Sequence, residues 1–522
     1  MKDPMTIDVR DLRDFDGMLK RRIEGFRAKL GDWLAPHRLT LAEARVHRVL
    51  VPMVGVYTPG WQALPACSWA FVELVTNEGL VGTGEWSIEL PEETRRALDE
   101  IRAQPTRNLL DPELEAPLYM AWWDLVGQAL GRPLHQLWAD LFERGFAPPD
   151  RVPMAAYTWQ RFADIQGRDA VTFERWPEHA QMRARQGFPA VKLSLTAYQP
   201  EEHVELIHRV REAVGPAVRV RFDAHGAWNL QEARRILRAV EGCNIEFAEQ
   251  PMNALLPQRF YPPGEAAPDR SPASGSYQGE FYFRHMTQLR REQPIPLSCH
   301  WWTPPIVHDP GAGVMANCWE LNWHLLERYD AADISSPDIG LGPWGLWRLY
   351  ELSRFMGMHR TLHSNFEMCL QLYFRCAMAS ALMYDGDAAG LYLGTTPRAC
   401  HPIDNETIQV GDDVIEGGPF DWTGGHLRLT DRPGHGLRLD PERLSKYVYN
   451  EQAVAPYRAH AQKLYANYLL DRPRTTTQAG WPKPGGPERF DRQAYPYRLD
   501  QILEAQSKPQ DVDVQLNREV SA

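Results

Sequence analysis

The chain lacks any run of about 20 apolar residues, the length a helix needs to cross a bilayer, so a membrane-spanning role has no support in its sequence. It also lacks a basic stripe: 57 Lys and Arg stand against 68 Asp and Glu, a net charge of -11. Nucleic acid and anionic membranes are bound through clustered positive charge, so neither partner is expected. Met1 to Arg10 carries no apolar signal-peptide core. The seven cysteines (Cys67, Cys243, Cys299, Cys318, Cys369, Cys376, Cys400) are scattered, odd in number and form no C-x-x-C pair. That fits reduced thiols and a cytoplasmic protein. What is present is an ordinary globular composition, 43% apolar and 24% charged over 522 residues, enough for two or three domains.

Residues 1–45 are charged and helix-leaning, with Leu19, Ile23, Phe26 and Leu30 at helical spacing. They are expected to lie across the surface or against a neighbouring subunit. Residues 46–150 form a second unit. Ala44–Val51 and Trp69–Thr76 read as strands, Asn77-Glu-Gly supplies a hairpin turn into the next strand, and 93–145 look helical. Strands followed by helices predict an α+β module. From Pro153 strands and helices alternate. Candidate strands are Met154–Thr158, Ala190–Leu195, Val218–Phe222, Ile245–Ala248, Ile295–Ser298, Ala332–Ser335 and Arg360–Leu362, with a weaker one near Gly390–Leu393. This alternation over residues 151–400 predicts an α/β class barrel. Residues 253–291, rich in Pro, Gly and Ser, interrupt it as an insertion, either a functional loop or a disordered one. Residues 401–522 show a hairpin-like stretch at 424–437, then a helix and a Pro-rich tail.

Polar groups recur just past these strands. Val218-Arg-Val-Arg-Phe-Asp-Ala-His delivers Asp223 and His225 to the carboxyl end of the third, although an Asx-capped turn explains that stretch equally well by itself. The second strand ends with Lys192 and Ser194, the fourth with Glu249, the fifth with His300, the sixth with Asp338, and the seventh with His363 and Asn365, with Glu367 beyond. In parallel α/β folds chemistry sits at that edge. Asp223 and Glu249 are hard oxygen donors on neighbouring strands, suited to Mg²⁺. Asp338 and His363, also neighbours, suit a carboxylate-oriented imidazole base.

The set resembles the enolase superfamily, and within it the mandelate racemase and acid-sugar dehydratase group. The resemblance rests on Ala121-Trp-Trp-Asp-Leu-Val-Gly-Gln-Ala-Leu-Gly, Phe222-Asp-Ala-His-Gly-Ala-Trp, Phe247-Ala-Glu-Gln-Pro, Ser336-Pro-Asp-Ile-Gly, His363-Ser-Asn and Asp431-Arg-Pro-Gly-His-Gly-Leu, in that order. It implies a modified (β/α)₇β barrel under an α+β cap built from both chain ends, and a homo-oligomer. It implies a divalent metal, usually Mg²⁺, on Asp223 and Glu249, and a carboxylate substrate polarised by Lys192. His363, oriented by Asp338, would remove the proton next to that carboxylate.

Two positions depart from the family's pattern. Ser194 stands where a second lysine would attack from the opposite face, which weakens a racemase reading. His300 stands at the third ligand position, where it either binds the metal or contacts substrate. As a ligand it widens the choice to Mn²⁺ or another divalent ion. His225 matches an Asp-x-His arrangement of sugar-acid dehydratases, where the histidine protonates the departing hydroxyl. The implied activity is therefore dehydration of a sugar acid to a 2-keto-3-deoxy acid. Epimerisation, racemisation or cycloisomerisation on the same scaffold, and a barrel without catalysis, remain alternatives. Tyr57, Trp61, Ser194, Trp301, Asn365 and Glu367 are the candidate substrate contacts, with the aromatics either stacking on sugar faces or packing cap against barrel.

Overall fold

The computed structural model describes residues 12–57, 64–168, 170–195, 200–224, 228–252, 283–300, 329–336, 342–364, 366–384 and 400–471, with residues 12–13, 57, 64, 200, 299–300, 462 and 464–471 described through their backbone alone. In chain order its strands are β1 (Leu41–Tyr57), β2 (Leu64–Thr76), β3 (Val81–Ser87), β4 (Arg151–Thr158), β5 (Arg161–Phe162), β6 (Ala190–Ser194) and β7 (Arg219–Asp223). They continue with β8 (Ile245–Glu249), β9 (Leu297–His300), β10 (Ile334–Ser336), β11 (His359–Arg360), β12 (Ile403–Asn405) and β13 (His426–Arg428).

β3, β2, β1 and β5 form the antiparallel sheet of an α+β cap. The helix Glu115–Ala129 lies directly on β3 because that strand carries glycines there. A Cβ on Gly82 would sit 2.5 Å from the Ala121 carbonyl, and one on Gly84 would sit 2.9 Å from the Ala121 nitrogen.

The second sheet runs β11-β10-β9-β8-β7-β6-β4-β12, all parallel, with helices between successive strands. Backbone bonds from His401 N to Arg360 O (2.8 Å) and from Asp404 N to Leu362 O (3.0 Å) join its two ends into an eight-stranded barrel. The eighth strand is Ile403–Asn405 and not the weak candidate near Gly390–Leu393, which lies outside the described residues. Helix Leu230–Ala239, after β7, starts on a capping box: Asn229 Oδ1 accepts from Gln231 N at 2.9 Å and Glu232 N at 3.0 Å, while Glu232 accepts from Asn229 N at 2.9 Å. Barrel strands are buried on both faces, as parallel strands are when helices cover them.

Of the two placements expected for the N-terminal segment the structure shows one, and two other expectations need correction. The N-terminal helix Leu12–Leu34 packs on its own chain. Its buried stripe Leu19, Ile23, Phe26, Leu30 and Leu34 meets the barrel helix Gly342–Phe355 and the cap helix Leu134–Leu141, with the Phe26 ring 5.1 Å from Trp347 and 5.2 Å from Phe142. Arg348 Nη2 holds Asp16 Oδ2 at 2.6 Å across the same contact. Within the expected insertion, residues 283–292 are a helix burying Phe283, Met286 and Leu289, while 253–282 lie outside the described residues. β13 pairs antiparallel with the start of β4 instead of forming a local hairpin.

The chain after the barrel returns to the cap. Gly411 N bonds Pro52 O at 2.8 Å, Leu50 N bonds Tyr447 O at 2.8 Å, and Tyr449 N bonds Arg48 O at 2.9 Å. Asp124, on the buried face of the cap helix, accepts from Thr83 N (3.1 Å) and His435 N (3.0 Å), and its Oδ2 lies 3.1 Å from His435 Nε2. Gly434 makes this approach possible: at φ +73°, any Cβ would fall 2.0 Å from Asp124 Oδ1. Among the described residues no helix is long and apolar enough to cross a membrane.

Candidate active site at the carboxyl edge of the barrel

Side chains alternate along a strand, so Arg221 and Asp223 of β7 point to the same side, as do Phe247 and Glu249 of β8. Register puts Ser194 beside Asp223 and Asp223 beside Glu249, so groups from three strands share one level at the strand ends. Lys192 reaches into this level from β6 and is fully buried. Its Nζ lies 3.0 Å from Glu249 Oε2, 3.5 Å from Asp223 Oδ2 and 2.7 Å from Asp404 Oδ2, and 4.2 Å from the centre of the Tyr157 ring. Tyr157 donates its hydroxyl to Asp223 Oδ2 at 2.9 Å. His363 directs Nδ1 at the same centre, 3.4 Å from Glu249 Oε1, 3.5 Å from Lys192 Nζ and 3.6 Å from Asp404 Oδ2. Behind them the fully buried Arg221 donates from Nη2 to Asp404 Oδ1 and to the Pro402 carbonyl, both at 2.6 Å.

These groups set each other's charge. Burial by itself would depress the Lys192 ammonium, but Asp404, Glu249 and Asp223 outweigh it and hold its pKa above the usual range. Asp404 is the mirror case: burial opposes ionisation, and Lys192 and Arg221 keep its carboxyl well below the ordinary value. His363 is pushed up to about 10, because Asp404 and Glu249 overcome both its burial and the repulsion of Lys192. Glu406, just past β12, accepts from Phe366 N at 3.1 Å, and burial raises its carboxyl well above normal.

A divalent cation fits the donor set. One ligand atom from each of Asp223, Glu249 and His363 lies within 4.8 Å of the others, and Glu249 Oε1 is buried without a hydrogen bond. Two carboxylates offer Mg²⁺ or Mn²⁺ hard oxygen donors while His363 stays free to act as a base; an imidazole added to them would favour a first-row ion.

The structure thus brings Lys192, Asp223, Glu249 and His363 together, with Ser194 buried alongside. Glu367 is turned to other work: it is fully buried, and its carboxylate takes the Ser364 hydroxyl at 3.0 Å and the Arg375 guanidinium. His300 ends β9, next to β8, with its side chain outside the description, and Tyr57 is described likewise by backbone only. His225, Asp338, Asn365, Trp61 and Trp301 lie outside the described residues. Sequence reasoning overlooked Tyr157, Arg221, Asp404 and Glu406. Alternation from Asp223 would have found Arg221, and the first barrel strand already contained Tyr157. Asp404 and Glu406 had no such signal, because their strand is short and polar.

An eight-stranded parallel barrel under an α+β cap, with buried carboxylates and a lysine at its carboxyl edge, defines a class of capped α/β-barrel protein with its charged site at the strand ends. Residues 176–258 match the family described as "Enolase C-terminal domain-like". Over 403 residues the chain is 24% identical to a D-galactonate dehydratase of Pectobacterium atrosepticum, covering 72% of this chain and 89% of that protein. Over 237 residues it is 24% identical to a hydrophobic dipeptide epimerase of Enterococcus faecalis, covering 41% of this chain and only 62% of that protein. A solved enolase from Pseudomonas fluorescens, with bound magnesium, potassium and tartrate, superposes with a TM-score of 0.59 at 18% identity, over 83% of this chain and 98% of that one. The match to the enolase C-terminal domain-like family thus falls on residues 176–258, and the relatives that the chain resembles include acid-sugar dehydratases and an epimerase.

Proposed function

We propose that the protein is a metal-dependent dehydratase of a sugar acid, converting it to a 2-keto-3-deoxy acid. Asp223 and Glu249 would hold the metal, Mg²⁺ or Mn²⁺, with His300 as nitrogen donor. When bound, it would stabilise negative charge developing on the substrate carboxylate. Lys192, an ammonium locked in that state by its carboxylates, donates to the same carboxylate. With Nδ1 of His363 engaged in the cluster, Nε2 is the nitrogen that accepts the proton from the adjacent carbon. Positive charge between Asp223 and Glu249 would offset the anionic field that otherwise favours the imidazolium, so the base can be neutral. The electron pair left on that carbon expels the neighbouring hydroxyl, which takes a proton from His225 and leaves as water. The enol that remains tautomerises to the keto acid.

The observation carrying this reading is the convergence of Lys192, Asp223, Glu249 and His363 at one strand-end level. A racemase or epimerase needs a base on each face of the reacting carbon. Lys192 serves poorly as that base, since Asp404 at 2.7 Å favours its ammonium form even where a metal offsets Asp223 and Glu249, and Ser194 stands at the other candidate position on β6. The test is a screen of the full chain against an acid-sugar library with Mg²⁺ or Mn²⁺, reading 2-keto-3-deoxy product. A product formed by the wild type and lost in His363→Asn is the expected result. Exchange of the α-proton with solvent deuterium, without net product, would replace dehydration with epimerisation.

A further inference from the structure

Lys192 is fully buried and stands between two anionic sides. On one are the carboxylates of β7 and β8, at 3.5 and 3.0 Å; on the other is Asp404 of β12, at 2.7 Å. The ammonium therefore occupies the coordination space of the two oxygens that would hold a metal. A cation entering there must move it. Moving a buried ammonium away from all carboxylates would leave its charge uncompensated. Asp404 removes that obstacle. Its Oδ2 already touches Nζ, while Oδ1 is fixed by Arg221 at 2.6 Å, so the carboxylate keeps its place when the lysine shifts. The Tyr157 ring, 4.2 Å from Nζ, offers a further cation-binding face along the way.

We infer that Asp404 is a positioning residue for Lys192: it receives the ammonium when a divalent cation takes Asp223 and Glu249, and Arg221 sets how strongly it pulls. The inference rests on the metal reading of the site, and concerns how this chain makes room for the ion and where it leaves the lysine.

The test is calorimetric titration of Mn²⁺ into the full chain, with circular dichroism to confirm folding. Removing the competitor in Lys192→Met tightens binding by about tenfold, equivalent to about 1.4 kcal/mol. Asp404→Asn removes the carboxylate that faces Lys192 from β12 and leaves it only the two that the cation needs, so binding weakens by about tenfold, whereas the same change made on top of Lys192→Met alters it by less than about threefold. Equal weakening in both backgrounds would mean that Asp404 acts only through its field, and would overturn the inference. Should Asp404→Asn not fold, Arg221→Gln decides in its place. It tightens Mn²⁺ binding when Lys192 is present and has little effect when Lys192 is Met; an equal effect in both again overturns the inference. If neither the wild type nor Lys192→Met binds Mn²⁺, the metal reading itself fails, which is a distinct outcome.

Discussion

Glu115 begins the cap helix and sits where three parts of the chain meet. Its Oε1 accepts the indole N–H of Trp123 at 3.1 Å and that of Trp344 on the barrel helix, while Arg27 of the N-terminal helix supplies nearby positive charge. Burial raises its carboxyl from 4.5 to about 7, more than those donors and Arg27 lower it. The folded protein thus prefers Glu115 neutral, and the unfolded chain ionises it near 4.5. Below 4.5 both states are protonated and there is no penalty. As pH rises toward 7 the unfolded chain releases a proton that the folded one keeps, so stability falls. Above about 7 the loss is complete. A shift from 4.5 to about 7 at 1.36 kcal/mol per unit corresponds to about 3 kcal/mol. Glu115→Gln keeps an oxygen for both indoles and removes the titration. Urea unfolding of both proteins between pH 4 and 8.5 is expected to show the variant gaining on the wild type by about 3 kcal/mol across that window. A stability difference independent of pH, or one that moves against the variant as pH rises, would refute the reasoning.

Two further perturbations address the joints of the fold. Asp124→Asn leaves His435 buried without its carboxylate, and is expected to cost about 3 kcal/mol near neutral pH. Burial lowers the His435 pKa but Asp124 raises it further, so this stabilisation is complete below the imidazole's unfolded value and fades as pH rises through the folded one; chemical unfolding should show the Asp124→Asn deficit shrinking at alkaline pH. Phe26→Ala empties the contact with Phe142 and Trp347 and is expected to cost about 3–5 kcal/mol locally, read as faster protease cleavage within Leu12–Leu34 while the barrel remains intact.

Seven barrel strands are legible in the sequence because each is a short apolar or β-branched run followed by a helical pattern, as in Val218–Phe222 before Leu230–Ala239. Boundaries drift by one or two residues, since hydrogen bonding continues past the apolar run to Asp223 and Glu249. The eighth strand defeats the same method. Ile403-Asp404-Asn405 has one apolar residue in three; Asp404 is buried against the interior cations Lys192 and Arg221, and Asn405 is buried accepting from Ile408 N. Pattern reading takes buried for apolar, and fails wherever ions pair inside. It also leaves the N-terminal stripe between a surface and a subunit contact, because a buried helical face does not say which partner covers it.

β12 also gives the molecule a seam. The strand that completes the ring arrives some 400 residues into the chain, and the carboxylate it carries is the one that meets Lys192 from β6 and Arg221 from β7. Until that segment docks, β4 has an open edge, and Lys192 and Arg221 lack the one carboxylate that they share, each keeping its other acidic neighbours. The ring therefore cannot close around a neutral filler: its last strand is drawn in by charges planted more than 180 residues earlier, at Arg221. The strand that closes the barrel is thus also the one that brings Asp404 to the reactive centre.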